Sequence, residues 1–308
     1  MADDKKRSKS VEPAPTTEET FARILVKNLD YVEQWEAASH KGEDIEGVHQ
    51  MRVGLRRLRS ALSVFRRAIP REISAAIGEE MRWAASALGP ARDLDVFLTE
   101  GLAAVEGKAP GMEAGTAKLR AIAESQREEA YKAVREMIDS DRYKTFKAEV
   151  RRWAAEKGWR TAELPPECAK MLDGDINRFA AKVLTKQVNR TLADGLHIAQ
   201  MPAEELHQLR IDCKKVRYAT EFFTPLFNAK AMGEFVLRLK DLQGLLGTLN
   251  DVTVTHGLMV RLLEGVDDRD TIQFSGVLIG WRVRQYEEIK GQLGVRWQSF
   301  AQAIHPWV

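Results

Sequence analysis

EGVHQMRVGLRRLRSALSVF, residues 46–65, and EELHQLRIDCKKVRYATEFF, residues 204–223, align without a gap at a constant offset of 158. His49 pairs with His207, Arg52 with Arg210, Arg56 with Lys214, Arg57 with Lys215 and Arg59 with Arg217. The same offset carries LGPARD, residues 88–93, onto LGTLND, residues 246–251. A later pairing of Arg142, Tyr143 and Phe146 with Arg296, Trp297 and Phe300 follows at an offset of 154, as slightly different loop lengths would give. A register kept over such a distance is the signature of an internal repeat. The chain reads as a tandem duplication.

Apolar residues recur at intervals of three and four throughout and strand-like alternation is absent, so each copy reads as four helices. The expected fold is all-α, and two four-helix bundles are the simplest arrangement. In the first copy the pattern predicts helices over 18–39, 46–68, 71–88, 93–106 and 112–157, one of them a continuation of its neighbour. Pro70, Gly89-Pro90 and Ala109-Pro110-Gly111 supply the interruptions, because proline has no amide to donate and clashes inside a helix. Asp93 and Asp251, directly after each Leu-Gly break, are expected as helix caps. Residues 159–168, with Pro165-Pro166, read as the linker between a first lobe over 18–158 and a second over 169–308. Residues 1–17 are polar, rich in Pro, Ser and Thr, and read as a disordered tail without an export signal.

Of 308 residues, 44% are apolar and 30% charged, the balance of a globular helical protein. The longest apolar runs, such as Val277-Leu278-Ile279, fall far short of the roughly 20 residues a membrane span needs. Cys168 and Cys213 are too few for a disulfide framework and fit reduced thiols in a cytoplasmic protein. The net charge of +2 does not suggest a wholly basic nucleic-acid binder, but its distribution is uneven. From Gly47 to Arg71 there is no Asp or Glu, yet there are seven arginines.

At 100° per residue, His49, Arg52, Arg56 and Arg59 fall within an arc of about 80°, beside an apolar face of Leu55, Leu58, Leu62 and Phe65. His207, Arg210, Lys214 and Arg217 repeat the stripe beside Leu206, Leu209, Cys213 and Val216. A solvated face normally mixes signs so that pairs four residues apart offset repulsion. An unneutralised stripe made twice implies a compensating anion. Guanidinium suits phosphate because its planar fork donates two parallel hydrogen bonds and stays charged. A nearby phosphate would favour the protonated form of either histidine. Arg82 and Lys240, Arg127 and Arg282, and Lys186 are further candidates, whereas Arg57 and Lys215 point about 80° off the stripe, towards a second wall or towards water.

Glu46 with His49, and Glu204 with His207, match the Glu-x-x-His of di-iron bundles. That chemistry needs further buried Glu ligands and would not place arginines on the same face, so no metal or cofactor is expected. Nucleic acid is the more serious rival, since the same cations could follow its backbone. No helix-turn-helix, zinc or ribonucleoprotein signature appears, and the stripe lacks aromatics on which bases would stack. No phosphate loop, zinc spacing or Glu-x-Glu-x-Lys is present to suggest catalysis.

VHQMRxxxRRLR and LHQLRxxxKKVRY, with ARDLDV at 91–96 and LGTLNDV at 246–252, resemble the conserved histidine α-helical (CHAD) domain. The resemblance runs from about residue 18 to 308. It implies two four-helix bundles about a pseudo-twofold, a basic cavity between them that binds inorganic polyphosphate, and association with polyphosphate granules. By motif position His49, Arg52, Arg56, Arg59, His207, Arg210, Lys214, Lys215 and Arg217 inherit the ligand-binding role. The reading is a non-catalytic polyphosphate binder. The alternatives are a general polyanion or nucleic-acid module, or a scaffold for an enzyme of phosphate metabolism.

Overall fold

The computed structural model describes residues 15–308, and every regular element among them is helical. The expected tail lies, over residues 1–14, outside the described residues. Its last residues begin the fold: Thr16 caps α1 (Thr17–Gln34) in a capping box with Glu19, whose carboxylate accepts from the Thr16 amide at 2.9 Å. Then follow α2 (Glu36–Lys41), α3 (Ile45–Phe65), α4 (Arg71–Ala87), α5 (Gly89–Val96), α6 (Glu113–Asp139) and α7 (Asp141–Ala155). The C-terminal half contributes α8 (Pro166–Asp173), α9 (Ile176–Asp194), α10 (Ala203–Phe223), α11 (Ala229–Leu262), α12 (Arg269–Lys290) and α13 (Leu293–Ala301).

Several breaks differ from the sequence expectation. The helix expected over 18–39 stops at Trp35, and the one expected over 112–157 is cut at Ser140, whose extended backbone (φ −65°, ψ 146°) and hydroxyl cap α7. Gly89-Pro90 opens α5 instead of preceding it, because proline at a first-turn position gives up an amide that has no helical acceptor anyway. Asp93 therefore sits inside α5 and caps nothing. Asp251 is no cap either: α11 runs unbroken through Gly247 and Asp251, since Thr248 stands where proline would break it and bonds back to the Gly244 carbonyl at 3.2 Å. Beyond α5 the chain widens into a π-helical turn, Phe97–Leu102, a form that recurs where a helix is bent for function.

Helix α3 is the hub, packed by α1, α2, α4 and α10, and α10 is held in turn by α9 and α11. Close approach to α1 requires Gly54, where a Cβ would lie 2.5 Å from Val32 Cγ2. Gly42 ends α2 in the left-handed conformation (φ 72°), the usual glycine device at a helix C-terminus. One core runs through both halves: the Phe65 ring lies 5.0 Å from Phe21, 5.1 Å from Phe179 and 5.8 Å from Phe223. A second cluster at the far end joins Leu94, Phe97 and Leu119 to Leu258, Phe274 and Leu278, where α6 packs on α12.

The stretch expected as a linker is anchored. Trp159 is fully buried against Phe21 and Trp153, and its indole donates to Glu18 at 2.9 Å. Burial alone would raise the Glu18 pKa, but hydrogen bonds from Arg160, Lys157 and Trp159 hold it at about 2. Cys168, already inside α8, and Cys213 are both buried free thiols, and burial pushes the latter up to about 12.

Candidate functional site

Helices α3 and α10 meet through Phe65 and Phe223 near their C-terminal ends, and their cationic stripes approach one another from that contact. Arg56 Nε donates to the Tyr218 hydroxyl at 3.3 Å, and the Arg56 charge acts on both Arg210 and Lys214 of the facing helix. On the α3 side Arg52 feels Arg56 and Arg92, and His49 feels Arg92, Arg56 and Arg52. On the α10 side Lys214 feels Arg210, Arg56 and Arg217. Asp251 draws Arg210, Arg282 and Lys214 around it, and Asp93 does the same for Arg52, Arg261 and Arg92. Residues from α3, α5, α10, α11 and α12 thus converge on one cationic cluster with two aspartates at its margin.

The cluster is electrostatically unsatisfied. Burial, then Arg210, Arg56 and Arg217, pushes Lys214 down to about 8. Burial and the same kind of crowding depress Arg52 and Arg210. Burial followed by Arg92 lowers His49, only partly opposed by Glu46, so the imidazole is neutral near pH 7. Burial raises both Asp93 and Asp251, opposed by Arg52, Arg261 and Arg92 around the first and by Arg210, Arg282 and Lys214 around the second. Arg52, Arg210 and Arg282 each carry a buried Nε–H with no acceptor. Burying such donors without partners costs free energy, about 1–3 kcal/mol for an ordinary group and more for a charged one.

Other candidates go elsewhere. Arg127 is locked to Asp95, Nε to Oδ1 at 2.7 Å, beside a 2.8 Å bond from the Tyr131 hydroxyl to Asp95. Arg57 pairs with Glu221 at 3.2 Å and lies over the Tyr31 ring. Arg217 approaches Glu221, Nε to Oε1 3.2 Å, without hydrogen-bond geometry. Arg59 and Arg82 share a groove between α3 and α4 with Arg66 and Arg71, and Arg82 pairs with Glu79. Lys186 and Lys215 line a separate pocket between α3, α9 and α10, and Lys240 is exposed on α11. His207 is exposed and bonded to Asn250, at the lip of an apolar groove that includes Leu206, Leu246 and Tyr286.

Arg92, Arg261 and Tyr218 belong to the cluster and were not singled out from sequence. Arg92 stood inside the second motif, one residue before Asp93, which is the signal that could have found it. Tyr218 follows Arg217 in the α10 motif. Arg261 has no counterpart in the first copy, where the same offset gives Ala103, so nothing in the repeat points to it.

Among the described residues no helix is long and apolar enough to cross a membrane, and no group of three His, Cys, Asp or Glu is arranged to hold a metal ion. A CHAD domain crystal structure from the plant Ricinus communis is similar over 96% of this chain and 95% of that one, at 26% identity and a TM-score of 0.81. PptA from Streptomyces chartreusis shares the fold over 92% of this chain and all of its own, at 17% identity and a TM-score of 0.67. No curated protein matches in sequence. The CHAD domain pattern spans residues 23–260, including both halves of the cationic cluster up to α11, and the chain belongs to the CHAD domain family.

Proposed function

We propose that the protein binds linear inorganic polyphosphate, without catalysing a reaction on it, in a basic cavity between two duplicated helical lobes. The observation that carries this reading is the set of buried, unpartnered guanidinium Nε–H groups on Arg52, Arg210 and Arg282, within a cluster repulsive enough to pull Lys214 down to about 8. A multiply charged guest with acceptors along its whole length relieves both penalties together. Nucleic acid fits less well. A single strand would need stacking platforms, and Tyr218, the aromatic that bonds to Arg56, is buried.

Calorimetric titration with size-defined polyphosphates tests the reading. A chain that spans both stripes engages the second intramolecularly, so long chains are expected to bind at least about a hundredfold more tightly than triphosphate. Log affinity is expected to fall linearly with log salt as counterions are released. Equal affinities for triphosphate and long chains at physiological salt, or ready displacement of polyphosphate by duplex DNA, would reject it.

The same cluster predicts a pH dependence. Lys214 titrates at about 8 in the free protein and higher beside bound phosphate, so binding takes up a proton above pH 8. Polyphosphate affinity is expected to be full below pH 8 and to fall up to tenfold per pH unit above it. The unliganded fold has the opposite sign. Its lysine is depressed from 10.5 to about 8, so the unfolded chain holds more protons in that window and stability gains as pH rises through it. Parallel binding and melting series from pH 7 to 10 check both, and a flat affinity profile would remove Lys214 from the site.

A further inference from the structure

On one side of the α3–α10 crossing, Arg57 meets the Glu221 carboxylate at 3.2 Å and stacks on Tyr31. The repeat offset converts Arg57 to Lys215 and Glu221 to Ser63. On that other side, where a carboxylate would be expected, the structure has a cavity of about 170 Å³ between α3, α9 and α10. Arg66, Arg67, Lys186, Arg190 and Lys215 line it with the Ser63 hydroxyl. The one carboxylate in its wall, Asp212, is buried and already engaged by Lys215 at 2.7 Å and Gln208 at 3.0 Å. Arg190 lies 3.5 Å from Asp194, an exposed pair worth little. Gln187 also lines the cavity, and its buried Oε1 has no partner.

We propose that this pocket is a second phosphate site, separate from the cationic cluster, that takes one phosphate group where Ser63 stands opposite the carboxylate of Glu221. The anionic oxygens accept from the lysine and arginine side chains and from the Ser63 hydroxyl. A phosphate that keeps one proton donates it to Gln187 Oε1, which explains an acceptor otherwise stranded. The group is either free orthophosphate or the end of a phosphate chain, and both present the same chemistry. The pocket stands on its own residues and does not require the polyphosphate reading of the central cluster.

The test uses the full chain carrying Arg52→Ala and Arg210→Ala, which silences the central cluster. Inorganic phosphate is titrated calorimetrically at constant ionic strength set with chloride. Phosphate is expected to bind this chain still, and Ser63→Glu, which places a carboxylate there as Glu221 does on the other side, is expected to weaken it at least about tenfold. Because residue 63 is exposed, Ser63→Glu is expected to leave the phosphate-free melting temperature level or higher. Lys186→Ala with Arg190→Ala is expected to give the same loss. If the silenced chain takes up no phosphate, or if Ser63→Glu leaves its affinity unchanged, the pocket is not a phosphate site. Long-chain polyphosphate titrated into Ser63→Glu alone separates the sources: weakened binding identifies a chain end, unaltered binding identifies the free ion. Failure of the central reading looks different, as polyphosphate affinity insensitive to Arg52→Ala and Arg210→Ala.

Discussion

Replacing Arg52 and Arg210 together by alanine is expected to lower long-chain polyphosphate affinity on the order of several-hundred-fold while making the unliganded protein more stable. Each truncation removes a charged contact worth about 2 kcal/mol or more, and about 1.4 kcal/mol is tenfold in a binding constant. The gain in stability has a separate cause. Both guanidinium groups are depressed by burial and by like-charged neighbours, and both leave an Nε–H without an acceptor, so the unliganded fold is improved by losing them. Only Arg52 gives something back, a 3.2 Å bond to the Ala85 carbonyl. Titration and thermal melting of the same preparation read both effects. A double variant that melts lower and binds as well as the parent would show that the arginines are structural.

Asp95→Ala is expected to show the converse, a loss of about 3–5 kcal/mol in stability, the usual effect of stripping one partner from a buried ion pair. Its carboxylate side chain is fully buried between Arg127 and Tyr131, and the two oxygens accept one bond from each. Without it the guanidinium, which also holds the Gly42 carbonyl at 3.2 Å and lies 4.3 Å over the Tyr131 ring, is left without its counter-ion. The melting temperature is expected to drop on the order of 10 °C, at the scale of a few degrees per kcal/mol for a large domain. At a temperature where the variant remains folded, polyphosphate affinity is expected to stay within about threefold, because Arg127 is not in the cluster. Unchanged melting would show that this triad contributes nothing.

Arg127 and Arg282, both singled out as further candidates, illustrate what the sequence does and does not disclose. The offset of 158 puts Thr253 opposite Asp95, so the second copy lacks the carboxylate that captures Arg127. Arg282, which neither offset pairs with Arg127, lies in the cluster, where it acts on Asp251 beside the π-helical turn. The Asp95–Thr253 difference was visible in sequence, but its meaning depends on a contact between α5 and α6 that periodicity does not define. The helical class followed from spacing, and so did the separation of cationic from apolar residues around α3, because one helical face must bury leucine and phenylalanine. Helix boundaries were less legible. A proline can open a helix as readily as end one, which is why Gly89-Pro90 was assigned to a break. Glycine without proline, as at Gly247, does not stop a long helix that other helices hold.

The aromatic stack of Phe21, Phe65, Phe179 and Phe223 bears on how such a gene can be divided. Its rings come from residues on both sides of the former linker, so severing the polypeptide near residue 160 would strip each fragment of part of its interior. Fragments produced apart should be insoluble, yet made in the same cell they should find each other and rebuild the whole. The two sides of residue 160 thus form one indivisible folding unit, in which neither side is free to change at those four rings without the other.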